Sequence, residues 1–376
     1  MTTASFRVGP GRHLLTGAVL ETPGLARGLG RLESAWLRRR IRSVDIHRPV
    51  WISGLARSGT TILLEFLAAL PGVATHQYRD FPFLHTPWWW RTFLDRASPP
   101  TGRGNEQPRE RAHADGIRVT PGSPEAMEEV LWMSFFDGLH DPGRSQVLER
   151  AEVERRPEFL EFFRDHIRKL LLVEGAERYV AKANYNLTRL PFVQEAFPDA
   201  RFVVPIRSPE AHVASLRKQH RLFLEAAEEH PRSLAHLDRV GHFEFGAHRR
   251  PVHAGDPEAV ARIQADWREG EEVRGWARYW AHLYGWVADR LADGRLAQAV
   301  LLVSYEELCR APARVLRRIL AHTGFDREVA EVVDRFAARI RLPSYYEPDF
   351  TEEERAMIES ETASTRQALA ALEGAA

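Results

Sequence analysis

Val50-Trp51-Ile52-Ser53-Gly54-Leu55-Ala56-Arg57-Ser58-Gly59-Thr60-Thr61-Ile62-Leu63-Leu64 reads as a short apolar run, a turn of small residues and the opening of an apolar helix. The run at 49–53 has the length and composition of a buried strand, and the helix after it is expected over about 59–70, before Pro71-Gly72. Three more apolar runs, at 179–181, 202–206 and 299–303, share the character of the first. Helical patterns at 158–173, 208–224, 266–291 and 311–323 separate them, which predicts parallel strands in one sheet covered on both faces. The fold class is therefore α/β, three-layered, with a central parallel sheet flanked by helices. Within 266–291, Trp276, Tyr279, Trp280, Leu283 and Trp286 recur every three or four residues, the mark of a packing stripe.

The turn at 53–59 carries the first chemistry. Its backbone N–H groups, with the positive end of the helix dipole behind them, form an anion site. Gly54 and Gly59 have the G-x-x-x-x-G spacing of a nucleotide P-loop, but Thr60 stands where that motif needs lysine. An ordinary ATPase or GTPase is disfavoured, and Arg57 brings the cation from a different place. A second block, Phe197-Pro198-Asp199-Ala200-Arg201-Phe202-Val203-Val204-Pro205-Ile206-Arg207-Ser208-Pro209, is followed by Ser215. Arg207 leaves a strand at its carboxyl end, and Ser215 lies two turns into the next helix, so a charged fork and a hydroxyl can converge on one anion. The plainer alternative is an ion pair of Arg207 with Glu210. A third block is Val303-Ser304-Tyr305-Glu306-Glu307-Leu308, with Pro312 soon after.

In order and content these blocks resemble the sulfotransferase family, whose members take a sulfuryl group from 3′-phosphoadenosine 5′-phosphosulfate. Arg57, Ser58, Gly59, Thr60 and Thr61 are similar to the family's 5′-phosphosulfate loop, Arg207 and Ser215 to its 3′-phosphate site, and the third block to a late structural signature. Asp80-Phe81-Pro82-Phe83 and the segment 276–280 are similar to bacterial members. The resemblance covers 50–325 and implies a P-loop-like fold, this donor as co-substrate, and an acceptor hydroxyl. Lys182, ending the strand at 179–181, resembles the family lysine beside the leaving oxygen, work that Arg57 can share. The place where many relatives carry a glutamate base is Tyr78 here in a gapless count, so the base must come from elsewhere. Asp80 offers a carboxylate near Phe81 and Trp88 and is preferred narrowly over His76, whose imidazole titrates near neutrality. Glu125 and Glu128 are outside candidates. Trp88-Trp89-Trp90-Arg91 suits stacking on a sugar ring or covering a lipid or aryl group, one tryptophan at least going to the core. The expected acceptor hydroxyl is accordingly on a carbohydrate or glycolipid. A nucleotide-dependent phosphotransferase and a non-catalytic nucleotide-binding relative are the alternatives.

Composition narrows the rest. The 376 residues balance 52 Lys+Arg against 52 Asp+Glu, which argues against a nucleic-acid partner bound by bulk charge. With 44% hydrophobic residues the chain can bury a sizeable core. Only Lys169, Lys182 and Lys218 are lysines among its 52 basic residues, so each merits a question. Cys309 is alone, histidines and carboxylates lack ligand spacing, and no metal is expected. The apolar run at 14–20 is too short for a signal peptide, and the expected location is cytoplasmic. The segment 25–42, with Leu29, Leu32, Trp36, Leu37 and Ile41 among six arginines, is read first as an amphipathic helix packed on the protein. The second reading is a peripheral contact with the inner face of a membrane. The expected organisation is a helical arm over 1–45, one sulfotransferase domain over 46–350 with loop inserts at 97–124 and 230–256, and a C-terminal helix over 351–376. Oligomeric state is not legible.

Overall fold

The computed structural model describes residues 3–97, 107–113, 116–325, 329–342 and 348–373. Five parallel strands form its sheet: β1 (Val50–Ile52), β2 (Val73–Ala74), β5 (Arg178–Lys182), β6 (Arg201–Ile206) and β7 (Val300–Ser304), ordered β2-β5-β1-β6-β7. A hairpin of β3 (Arg109–Glu110) and β4 (Arg118–Val119) stands apart. Val50 pairs with Val180 on one side and Arg201 on the other, and Ile206 pairs with Ser304. This register aligns the carboxyl ends of four strands along one edge. The two-residue β2 went unread because so short an edge strand leaves no periodic signal.

Alternation along the strands explains the layers. Trp51, Tyr179, Ala181, Phe202 and Val204 point into one core, while Val50, Ile52, Val180 and Val203 point into the other. The second core is closed by Leu63, Phe66 and Leu67 of the Thr60–Ala68 helix and by Val315, Leu316 and Ile319 of the Pro312–Thr323 helix. The larger core takes the Pro157–Glu174, Pro209–Glu229 and Glu272–Leu291 helices. The predicted α/β architecture with a covered parallel sheet is what folds.

The helix expected over 266–291 is two helices, Pro257–Arg268 and Glu272–Leu291, broken at Gly270, whose φ of 86° lies in the left-handed region. The aromatic stripe lies wholly in the second helix and is buried throughout. The same helix also reaches the carboxyl edge of the sheet: Trp280 Nε1 donates to the Arg207 carbonyl at 3.2 Å, and Tyr284 OH to the Pro205 carbonyl at 3.0 Å. The expected insert at 97–124 lies partly outside the described residues; its described part holds the hairpin. The segment 230–256 includes the Arg232–Arg239 helix. No helix among the described residues is long and apolar enough to cross a membrane.

Candidate functional site

The turn between β1 and its helix is built by close approach. A Cβ on Gly54 would stand 2.7 Å from Ser58 Oγ and 3.1 Å from the Pro205 carbonyl, so glycine lets the turn close against β6. Arg57 takes a φ of 74°, a region costly to a side-chain-bearing residue. Three partners hold it there: His212 Nε2 donates to the Ala56 carbonyl at 2.8 Å, an Arg207 guanidinium nitrogen to the Arg57 carbonyl at 3.4 Å, and Arg57 Nε to Ser215 Oγ at 3.3 Å. Burial lowers the His212 pKa to about 3, so the imidazole stays neutral with its Nε2 proton committed to the turn. Sequence reasoning missed this histidine, which lies one helical turn before Ser215.

Gly59 opens the helix at a φ of 100°, and a Cβ there would lie 2.7 Å from the Tyr305 ring. Gly59→Ala is expected to lose roughly 1–2 kcal/mol from the left-handed backbone alone, with further cost from the ring contact. A thermal melt checks it, and an unshifted Tm would contradict the tightness of this turn. Tyr305 itself carries the Arg207 guanidinium 5.1 Å over its ring. The third block is thus more than structural: Ser304 caps its helix by accepting from Glu307 N at 3.2 Å, Glu306 accepts from Ser208 N at 3.0 Å, and Tyr305 lines the cavity described next.

That cavity, of about 510 Å³, lies over the aligned strand ends and takes in Arg57, Gly59, Thr60, Thr61, Lys182 and Arg207. Ser58 is buried beneath the turn, and Ser215 reaches the site through its bond to Arg57. Glu210 pairs with Arg355, so the plainer reading of Arg207 is overturned. Lys182 Nζ donates to Thr61 Oγ1 at 3.2 Å, as does Arg111 from the hairpin, also at 3.2 Å. Burial lowers the Lys182 pKa; Arg111 and Arg57 add to this and Glu125 opposes it. Arg111 was not legible, since one arginine in an arginine-rich loop carries no spacing signal.

Neither preferred base lies in the cavity. Asp80 is buried, its two oxygens taking Arg91 Nε and a second Arg91 nitrogen, each at 2.6 Å, and also the Gln77 N–H at 2.7 Å. It is a structural anchor because a fully buried arginine claims it. Arg79, its neighbour in sequence, pairs with Asp95 and Glu174. His76 is equally buried, its Nε2 2.8 Å from His166 Nε2 and its Nδ1 3.4 Å from the Tyr179 hydroxyl. Burial lowers its pKa to about 4. Its backbone carbonyl, however, accepts from Glu125 N at 3.0 Å. This fixes the loop that brings the Glu125 carboxylate into the cavity beside Lys182 and Arg111. Burial pushes the Glu125 carboxyl up, but Lys182, Arg111, Tyr78 and the Ala126 N–H outweigh it and hold the group below its ordinary range.

Glu128 lies beneath the sheet, accepting from Tyr179 OH at 2.6 Å and Trp51 Nε1 at 2.9 Å, and burial raises its pKa to about 7. A raised folded pKa means stability that is full below the unfolded value and lost as pH climbs through about 7. Glu128→Gln is expected to abolish a fall of a few degrees in Tm between pH 5 and pH 8. An identical pH slope in the two proteins would refute this.

The tryptophan run is placed away from the cavity. It opens the Pro87–Ala97 helix, Trp88 packing edge-on to Trp36 at 5.0 Å and Trp90 Nε1 donating to the Arg79 carbonyl at 2.7 Å. It therefore gives no argument for a sugar in the site. The remaining cavity wall sets Phe81, Ile117, Met127 and Val240 beside the polar groups Arg12, His236, His242, Glu129 and Glu244, and burial lowers the His236 pKa to about 4, which keeps that ring neutral. Both inserts contribute to it. Among the described residues no group of three or more His, Cys, Asp or Glu side chains is arranged to hold a metal ion.

The small-residue turn after β1, a lysine ending the adjoining β5 and an arginine just past β6 meet in one cavity at the switch point of the parallel sheet. The family model described as "Sulfotransferase family" matches residues 49–255, more than half of the chain, and the chain belongs to that family; it is a sulfotransferase enzyme. Among solved structures it is similar to sulfotransferase STF9 of Mycobacterium avium, at 17% identity and a TM-score of 0.49 over 93% of this chain and 84% of that one. It is also similar to sulfotransferase STF1 of Mycobacterium tuberculosis, at 17% identity and a TM-score of 0.46 over 92% and 84%. A sulfotransferase of Alicyclobacillus acidocaldarius gives 16%, a TM-score of 0.37, 87% and 96%. No curated protein matches the chain.

Proposed function

We propose that the chain transfers the sulfuryl group of 3′-phosphoadenosine 5′-phosphosulfate to an acceptor hydroxyl, with Glu125 as the general base. The observation that carries this is the cavity that Arg57, Thr61, Glu125, Lys182 and Arg207 line together, with Ser215 bonded to Arg57 behind it. The donor set suits a nucleotide with two anionic ends: the turn at 57–61 would hold the 5′-phosphosulfate, and Arg207 with Ser215 the 3′-phosphate. Bound there, the donor supplies the sulfuryl group. As the acceptor oxygen forms its bond to sulfur and the bridging S–O bond breaks, Glu125 takes the hydroxyl proton, and Lys182 and Arg57 neutralise charge growing on the leaving phosphate oxygen. Depressed by its two cations, Glu125 is ionised at neutral pH and ready to accept. Once Lys182 turns to the donor's oxygens the carboxylate loses a stabilising partner and becomes a stronger base.

The apolar part of the wall formed by Phe81, Met127 and Val240 favours a lipid-linked hydroxyl over a bare sugar. The reading is tested by titrating the purified protein with adenosine 3′,5′-bisphosphate and ATP, then incubating it with donor and lipid extracts under mass spectrometry. The expected results are tight binding of the bisphosphate, weak binding of ATP and a lipid gaining one sulfate. ATP binding as tight as the bisphosphate, with phosphate gained in place of sulfate, would establish a phosphotransferase.

A further inference from the structure

Eight large apolar side chains stand well exposed among the described residues, and six of them fall within 14–36: Leu14, Leu15, Leu25, Leu29, Leu32 and Trp36, each 43–72% exposed. Single exposed leucines are ordinary; six concentrated on one arm are not. Leu25, Leu29, Leu32 and Trp36 follow i, i+4, i+7, i+11 and form one stripe, about 16 Å long, along the Pro23–Trp36 helix. A separate face of this helix fastens it to the protein. Gly30 sits so close to the core that a Cβ would come within 2.6 Å of the Phe162 ring, and Glu33 makes a fully buried ion pair with Lys169 at 2.9 Å. The stripe is therefore not a core face that has come loose.

At its carboxyl end the stripe runs into aromatics. Trp36 packs on Trp88 at 5.0 Å and Trp89 at 6.1 Å, Arg40 lies 5.4 Å over Trp88, and the exposed Phe93 is one turn beyond Trp89. Charge then points to the occupant. Residues 7–42 hold eight arginines and two acids, Glu21 and Glu33. Arg239 takes the first acid and Lys169 the second. Arg38, Arg39 and Arg42 are exposed and have no carboxylate partner among the described residues.

We propose that this N-terminal arm is a docking surface for an anionic lipid bilayer. Leucines and tryptophans enter the interface while the arginines meet lipid phosphates, the division of labour of an interfacial helix. A second copy of the chain is a poorer occupant, because it would bring another set of arginines to the contact where an anionic bilayer brings phosphates. The arm also reaches the cavity: the Pro10–Leu20 helix that exposes Leu14 and Leu15 places Arg12 in the cavity wall, 5.6 Å over the Phe81 ring. Docking brings that wall to the headgroup layer, where a lipid-linked hydroxyl can enter; this last consequence rests on the proposed function, while the docking itself does not.

The test is co-sedimentation of the full chain with vesicles of phosphatidylcholine alone or mixed with phosphatidylglycerol, at low and high salt, for the wild type and the triple variant Leu29→Glu, Leu32→Glu, Trp36→Glu. The expected results are binding to the mixed vesicles only, weakened by salt, and lowered at least about tenfold in the triple variant. A thermal melt of both proteins reports folding, and adenosine 3′,5′-bisphosphate binding reports the donor site separately. With the folded melt intact, the inference is overturned by failure to sediment with anionic vesicles, by equal binding to both vesicle types, or by undiminished binding of the variant. It is also overturned if the wild type forms a concentration-dependent dimer that the variant lacks and binds no vesicles.

Discussion

Arg207→Ala is expected to weaken binding of adenosine 3′,5′-bisphosphate about a hundredfold. Charge-assisted hydrogen bonds to a phosphate contribute roughly 1.5–3 kcal/mol, and about 2.7 kcal/mol is a factor of one hundred in affinity. The position is preorganised. Trp280 holds the Arg207 carbonyl, Tyr305 lies under the guanidinium, and one of its nitrogens reaches the Arg57 carbonyl. The variant thus also loosens the turn whose strained Arg57 conformation that contact supports. Arg207→Lys keeps the charge but loses the planar fork, and should fall between wild type and alanine. Isothermal titration measures each, with a melt to confirm folding. Wild-type affinity in Arg207→Ala would remove the 3′-phosphate site from this end of the cavity.

Glu125→Gln is expected to lower turnover by about 10²–10⁴-fold, the range a positioned general base contributes, with bisphosphate affinity unchanged or improved. The improvement would arise because Lys182 and Arg111 no longer share a carboxylate. Asp80→Asn separates the two readings of the base. It breaks a buried ion pair with Arg91, which costs on the order of 3–5 kcal/mol of stability, and should leave turnover per folded molecule nearly intact. The reverse pattern, a stable but inactive Asp80→Asn beside an active Glu125→Gln, would return the base to Asp80. Lys182 sets the alkaline limb. Its protonated form is the useful one, so the rate should fall as pH rises through a pKa that burial, Arg111 and Arg57 hold below the ordinary value near 10.4. Lys182→Arg should move that limb upward; an unmoved limb would mean another group titrates there.

Much of this was legible before folding. The four longer strands and the turn were readable because each occupies a few consecutive residues whose apolar run or glycine spacing is itself the signal. Arg207 and Ser215 were placed near the turn by the strand end and the following helix, and in the structure each contacts Arg57. The base was not. Asp80 and Glu125 lie on either side of an insert, and each looks like a carboxylate near a turn. What separates them is that Arg91 folds back under Asp80, whereas the His76 carbonyl draws the Glu125 loop over the strand edge. The tryptophan run misled for the same reason: its composition suits a ligand, but the Pro87–Ala97 helix directs it against Trp36.

The sequence by itself determined the local pieces, because strand, turn and helix propensities and an anion-holding turn are properties of neighbouring residues. Tertiary structure alone decided which charges face one another. Parallel pairing across β5, β1, β6 and β7 brings together Arg57, Lys182, Arg207 and Tyr305 from four separate segments of the chain, and a buried counter-ion holds Asp80 outside the cavity. Coulomb and hydrogen-bond energies depend on distance through space, and no order of residues along one chain specifies that distance.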